Sequence, residues 1–111
     1  MTFEPTPKQR DACAQAADLL AHQAEGLRQT GSVKTVNAIE QYVSTLRRIA
    51  TAPDVTLTPQ DKIDIEQATF VLEGSRDGLL TADFRERADK INAIIRTLND
   101  IVEAYNGAAS R

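Results

Sequence analysis

The 111-residue chain carries 13 basic and 16 acidic residues, which gives a net charge of −3. Its length suits one domain with one hydrophobic core, and a hydrophobic content of 41% argues against wholesale disorder. Because residues 56–111 hold ten acidic and seven basic side chains, a general polyanion-binding role, which requires basic surface, is disfavoured.

The start of the chain and its apolar segments predict a cytoplasmic protein. The first ten residues, MTFEPTPKQR, place an acid and prolines where a signal peptide would carry a basic and then an apolar run. No apolar stretch approaches the ~20 residues that a membrane-spanning helix needs. The single cysteine, Cys13, excludes an intramolecular disulfide and a cysteine-based metal site.

The first helix is predicted over 7–29, after a loose tail at 1–5. Thr6 is a suitable N-cap, and Gln9 completes the spacing of a capping box. Gly31 is expected to end this helix in the left-handed conformation that favours glycine. The apolar side of the helix is rich in alanine, so a neighbouring helix can approach it closely.

The second and third helices are predicted over 33–51 and 59–79. Pro53 limits the second helix, because the residue before a proline avoids helical dihedral angles. Thr58 repeats the Thr-Pro opening of the first helix and marks the clearest helix start in the chain. Gly74 weakens the later part of the third helix and predicts fraying or a kink there.

The last helix, predicted over 83–106, carries a broad apolar stripe. Thr81 or Asp83 is expected to cap this helix, and Asp83 has capping-box spacing with Glu86. The residues from Gly107 onward are expected to form a frayed tail. The stripe recurs at alternating steps of four and three residues, at Phe84, Ala88, Ile91, Ile95, Leu98, Val102 and Tyr105. Its width suits a helix that contacts two or three others.

These elements predict an all-α fold, an antiparallel up-down four-helix bundle, in one domain over 1–111. The connections between the first and second helices and between the third and fourth helices are short, which favours antiparallel hairpins. No strand pattern competes, because the β-prone segment 55–57 is too short.

Residues that carry chemistry are sparse, and we expect no catalytic site, no metal and no cofactor. The only histidine, His22, lacks the paired Glu-x-x-His elements of a dinuclear carboxylate site. Cys13 lies in the apolar arc of the first helix, away from His22, which predicts a core cysteine rather than a nucleophile. A small DNA-binding regulator or packaging factor is the alternative function, and a helical enzyme without a motif is the third. The candidate nucleic-acid contacts are Arg47 and Arg48, and a second basic group whose charge is nearly cancelled by interleaved acids, Arg85, Arg87 and Lys90.

The third helix has a second apolar row outside its main stripe. Ile63 and Phe70 are seven residues apart and project roughly 120–180° away from that stripe. Glu66, Glu73 and Asp77 run beside them. An apolar strip edged with acid is typical of a protein-binding face. The alternative is that this helix is wedged between two neighbours, with Phe70 in the core.

The predicted function is a non-catalytic protein–protein interaction module. Ile63 and Phe70 would anchor the partner and the acidic row would steer its basic surface, as in an inhibitor, an immunity-type protein or an adaptor of a small bacterial or phage-like kind. The expected partner is another protein, or a second copy of the chain in a homodimer. No membrane partner is expected, and nucleic acid is the less favoured partner.

Overall fold

The computed structural model describes residues 2–109, and the side-chain surroundings of residues 3–108. Two short strands are present, β1 (Thr2–Phe3) and β2 (Val55–Thr56). The four helices are α1 (Pro7–Thr30), α2 (Val33–Thr51), α3 (Pro59–Thr81) and α4 (Arg85–Ala109).

Packing divides the helices into two hairpins that form one bundle. α1 packs most extensively on α2, and α3 on α4, while α1 also lies along α4 and α2 along α3. The predicted all-α four-helix bundle is confirmed. All four helices contribute large, fully buried side chains to its core, among them Leu20, Leu46, Ile49, Ile65, Leu72, Leu98 and Ile101. Within residues 2–109, no helix combines the length and the apolar character that crossing a membrane requires.

Capping boxes begin α1 and α3. The Thr6 hydroxyl accepts a hydrogen bond from the Gln9 backbone N–H at 3.1 Å, and the Gln9 side chain accepts one from the Thr6 N–H at 2.9 Å. Thr58 and Asp61 repeat this reciprocal pair at 3.1 and 3.0 Å. Each box satisfies two N–H groups that have no partner within the helix, which is why both helices begin at their Thr-Pro steps.

The N-terminal segment is not the loose tail that the sequence predicts. β1 pairs antiparallel with β2, with Phe3 opposite Val55. Both side chains are buried, at 8% and 3% exposure, and both belong to the hydrophobic core cluster. Because Phe3 finds apolar partners in the connection between α2 and α3, the segment gains enough buried surface to become ordered.

Gly31 ends α1, but not in the predicted left-handed conformation. Its φ is −109° and its ψ is −178°, which is extended backbone. A Cβ at this position would lie 2.7 Å from the backbone oxygen of Leu27. Glycine is therefore required here by close approach to the preceding turn and not by a positive φ.

The left-handed residue is Asp83, at the end of α3. Its φ is 66°, its N–H donates to Leu80 O at 3.1 Å, and the Phe84 N–H donates to Leu79 O at 2.8 Å. This is the bonding pattern of a Schellman motif, with aspartate in place of the usual glycine. The prediction that Thr81 or Asp83 caps the last helix is therefore wrong, because Thr81 is the last residue of α3 and α4 begins at Arg85.

Three further predictions about α3 and α4 are corrected. α3 continues through Gly74 as far as Thr81, because packing against α4 outweighs the low helix propensity of glycine. α4 continues past Gly107 to Ala109 in place of the expected tail. Phe84 is 53% exposed and is not part of the core, because it precedes the first turn of α4. The guanidinium carbon of Arg87 lies 6.0 Å from the centre of the Phe84 ring.

Candidate protein-interaction surface

α3 carries apolar side chains on two opposite sides. Ile65 and Leu72 face the core and are 1% exposed, whereas Phe70 is 71% and Ile63 47% exposed. At about 100° per residue, Phe70 projects roughly 140° away from Ile65 and roughly 160° away from Leu72. The alternative interpretation, with Phe70 in the core of the chain, is therefore wrong.

Polar contacts on both sides of α3 fix its rotation about its own axis. On the α2 side, the Thr45 hydroxyl donates to Asp64 Oδ2 at 2.7 Å. On the α4 side, Arg76 Nη1 donates to Asn92 Oδ1 at 3.0 Å. Turning the helix to bury Phe70 would break both contacts, so this ring stays directed away from the bundle.

The predicted acidic residues lie beside the exposed ring, and two of them have a counterion on the same helix. Glu66 Oε1 lies 3.9 Å from Lys62 Nζ, and Asp77 Oδ1 lies 3.2 Å from Arg76 Nε. Glu73 forms no ion pair with any residue in 3–108. Because ion pairs at an exposed surface are weak, all three carboxylates remain able to attract a cationic partner.

A buried carboxylate at the α2–α3 seam is a feature that the sequence analysis missed. Asp64 is 3% exposed, and besides the Thr45 bond its Oδ1 accepts hydrogen bonds from Gln41 and Gln60, each at 3.0 Å. The one signal in the sequence for its burial is that Asp64 directly precedes Ile65, a core residue of α3. The bonds from Thr45 and Gln41 join α2 to α3, whereas the Gln60 bond lies within α3, so this carboxylate has a structural role.

Arg47 and Arg48, the first group of candidates for nucleic-acid binding, both face carboxylates. Arg48 Nη2 lies 2.5 Å from Asp61 Oδ2, and the Asp61 side chain is almost completely buried. Arg47 Nη2 lies 3.8 Å from Asp18 Oδ1. Arg48 is thus part of the packing between α2 and α3, which leaves less cationic surface for phosphate groups.

Cys13 and His22 are separated as predicted. Cys13 is fully buried in the core, at 0% exposure, and burial raises the pKa of its thiol from 9.0 to about 12. The prediction of a core cysteine is confirmed. His22 is exposed on α1, and among the described residues no three histidine, cysteine or acidic side chains are grouped so that they could share a metal ion.

The raised pKa of Cys13 predicts a loss of stability at alkaline pH. The unfolded thiol ionises above about pH 9, whereas the folded thiol resists ionisation up to about pH 12, so this stability is complete below pH 9 and is lost as the pH rises towards 12. By linkage, wild type should lose about 1.4 kcal/mol between pH 8 and pH 10 from this group. Urea unfolding of wild type and Cys13→Ala at both values measures this, and a constant difference between them would contradict it.

Comparison with known proteins identified no relative of this chain. The chain matches no family model, no curated protein and no solved structure. Its function therefore has to be inferred from its own residues. One surface that combines exposed apolar side chains with charge is the α3 outer face, which consists of Ile63, Glu66, Phe70, Glu73 and Asp77.

Proposed function

We propose that the protein is a non-catalytic interaction module, an inhibitor, immunity-type protein or adaptor, that binds a basic protein partner through the α3 outer face. The observation that carries this proposal is the 71% exposure of Phe70 in the middle of α3. A phenylalanine at this position adds almost nothing to the stability of the folded chain, because most of its apolar surface remains in water. Burial against a partner would recover that energy.

Ile63 and Phe70 have the spacing of anchor residues for a partner. They lie two helical turns apart on the same side of α3, so both side chains can enter one apolar groove. Aromatic residues in such positions dominate the binding energy of many interfaces. The three carboxylates on one flank of Phe70 would steer a basic partner during its approach and would make binding sensitive to salt.

The charge on the α3 outer face favours a different protein over a second copy of this chain. In an antiparallel pair of α3 helices, equivalent flanks face each other, so the row of Glu66, Glu73 and Asp77 would meet the same row of the other copy. Like charges brought together at an interface cost free energy. A partner with lysine or arginine along the matching flank has no such cost. We take the cytoplasm as the compartment of this interaction.

Replacing Phe70 with glutamate tests the function. The variant should keep the helicity and unfolding midpoint of wild type, because the side chain is exposed, but should bind the partner about 30-fold more weakly or worse, the effect expected of a hot-spot residue. Val33→Glu is the matched control, since Val33 is 75% exposed on a different helix and receives the same charge. A partner captured with wild-type protein would be titrated against all three proteins by calorimetry at two salt concentrations.

Three outcomes would overturn the proposal. If Phe70→Glu unfolds the protein, the ring supports the fold, and if it binds the partner like wild type, the α3 outer face is not the binding site. Light scattering on a sizing column adds a third readout. A wild-type dimer that Phe70→Glu converts to a folded monomer would assign the α3 outer face to self-association instead.

A further inference from the structure

The connection between α2 and α3 is attached to the N-terminal segment. Thr2 lies opposite Thr56 and Phe3 opposite Val55 in the β1–β2 ladder. Phe3 and Val55 also pack within the same hydrophobic cluster. The β1 strand is therefore a clasp across the connection that joins the two hairpins.

Arg10 gives this connection a second attachment. Its guanidinium donates to the backbone oxygens of Ile49, Ala52 and Pro53, with the Pro53 bond at 2.8 Å and the Ile49 bond at 3.3 Å. These oxygens belong to the last turn of α2 and the residues after it. The first turn of α1 and the β1 strand thus both contact this connection or the turn of α2 that leads into it.

The seam that this connection spans is partly polar. α2 and α3 meet through the hydrogen bonds of Asp64 and through the Arg48–Asp61 ion pair. When such a seam opens, water replaces the lost hydrogen bonds, so opening costs less than separating two apolar faces of equal area. The two hairpins, by contrast, are each held by the most extensive helix packing in the bundle.

We propose that β1 is a releasable clasp: while it is paired with β2 it keeps the α2–α3 seam closed, and its release lets the end of α2 and the start of α3 separate and fray while the packing of α1 on α4 still joins the two hairpins. A two-residue ladder has few hydrogen bonds and lies near one end of the chain, where local opening needs the least energy. Release would expose Val55 and the inner side of α3. This inference is independent of the α3 outer face, which lies on the opposite side of that helix.

Hydrogen exchange read by mass spectrometry tests the clasp in the full chain. Phe3→Ser should speed exchange at least tenfold in peptides covering 45–65, on both sides of the seam, and by less than twofold in peptides covering 85–105. Glu4→Ser is the matched control, because Glu4 neighbours Phe3 but is exposed, and it should exchange like wild type. Phe3→Leu, which keeps an apolar side chain, should lie between the two.

The pattern of exchange decides the result. An equal acceleration in all four helices would mean that Phe3 supports the whole fold, and the clasp would be rejected. Unchanged exchange over 45–65 would reject it as well. If Phe3→Ser does not fold, Phe3→Leu is compared with wild type instead. The clasp is then rejected if exchange in Phe3→Leu is equally faster in all four helices or is unchanged over 45–65.

Discussion

We expect Asp64→Ala to lower the free energy of unfolding by about 3 kcal/mol. The alanine removes the acceptor for three hydrogen bonds, from Thr45, Gln41 and Gln60. Gln41 and Gln60 are exposed and can turn to water, but Thr45 is 7% exposed and its hydroxyl would lose its acceptor inside the seam. Urea denaturation followed by circular dichroism measures the loss.

Two further variants separate the causes of this effect. Asp64→Asn should cost only about 1 kcal/mol, since its amide oxygen still accepts from the glutamines and its NH₂ can donate to the Thr45 hydroxyl. The double variant Thr45→Val with Asp64→Leu should recover most of the loss, because two apolar groups leave no buried polar atom unpaired. Equal losses for alanine and asparagine would show that the hydrogen bonds do not cause the effect.

Arg10→Ala should cost about 2–3 kcal/mol. The last carbonyl groups of a helix have no partner within it, and Arg10 donates to the oxygens of Ile49, Ala52 and Pro53 at the end of α2. Its positive charge also interacts favourably with the negative end of the α2 dipole. Thermal and urea unfolding of the variant measure the combined contribution.

Conservative variants divide that contribution into packing, charge and geometry. Arg10→Met keeps the apolar stem of the half-buried side chain but loses every hydrogen bond, so it should remain at least 1 kcal/mol less stable than wild type. Arg10→Lys keeps the charge, but its single ammonium cannot donate to three oxygens in a planar fork, and it should fall between methionine and wild type. A methionine variant as stable as wild type would contradict the role of the carbonyl contacts.

The starts of α1 and α3 and the four-helix class follow from local signals in the sequence. A capping box joins residues three apart, as in Thr6–Gln9 and Thr58–Asp61, so no distant contact is needed to form it. The core sides of the helices follow from periodicity, because any side chain four residues on from a buried one lies on the same face. The outward position of Phe70 could be predicted in the same way, since its angle to Leu72 depends only on helix geometry.

Contacts between residues far apart in the chain decided the features that the sequence did not reveal. Phe3 is ordered because Val55 lies opposite it, and Arg10 caps a helix that ends about 40 residues later. Asp64 is buried because Thr45 and Gln41 of α2 reach its carboxylate when α2 and α3 pack. Neither composition nor periodicity predicts such long-range contacts, because each contact depends on how whole helices are placed relative to one another.

The sequence by itself determined an all-α bundle, the beginnings of α1 and α3, a buried Cys13 and an apolar row on α3 outside its core stripe. Local hydrogen bonds and helical periodicity suffice for these features. The tertiary structure alone decided that Asp83 takes the left-handed position at the end of α3, that Phe84 is exposed, and that a polar seam joins the hairpins. Those outcomes depend on the position of one helix relative to another, which the packing of the whole core fixes.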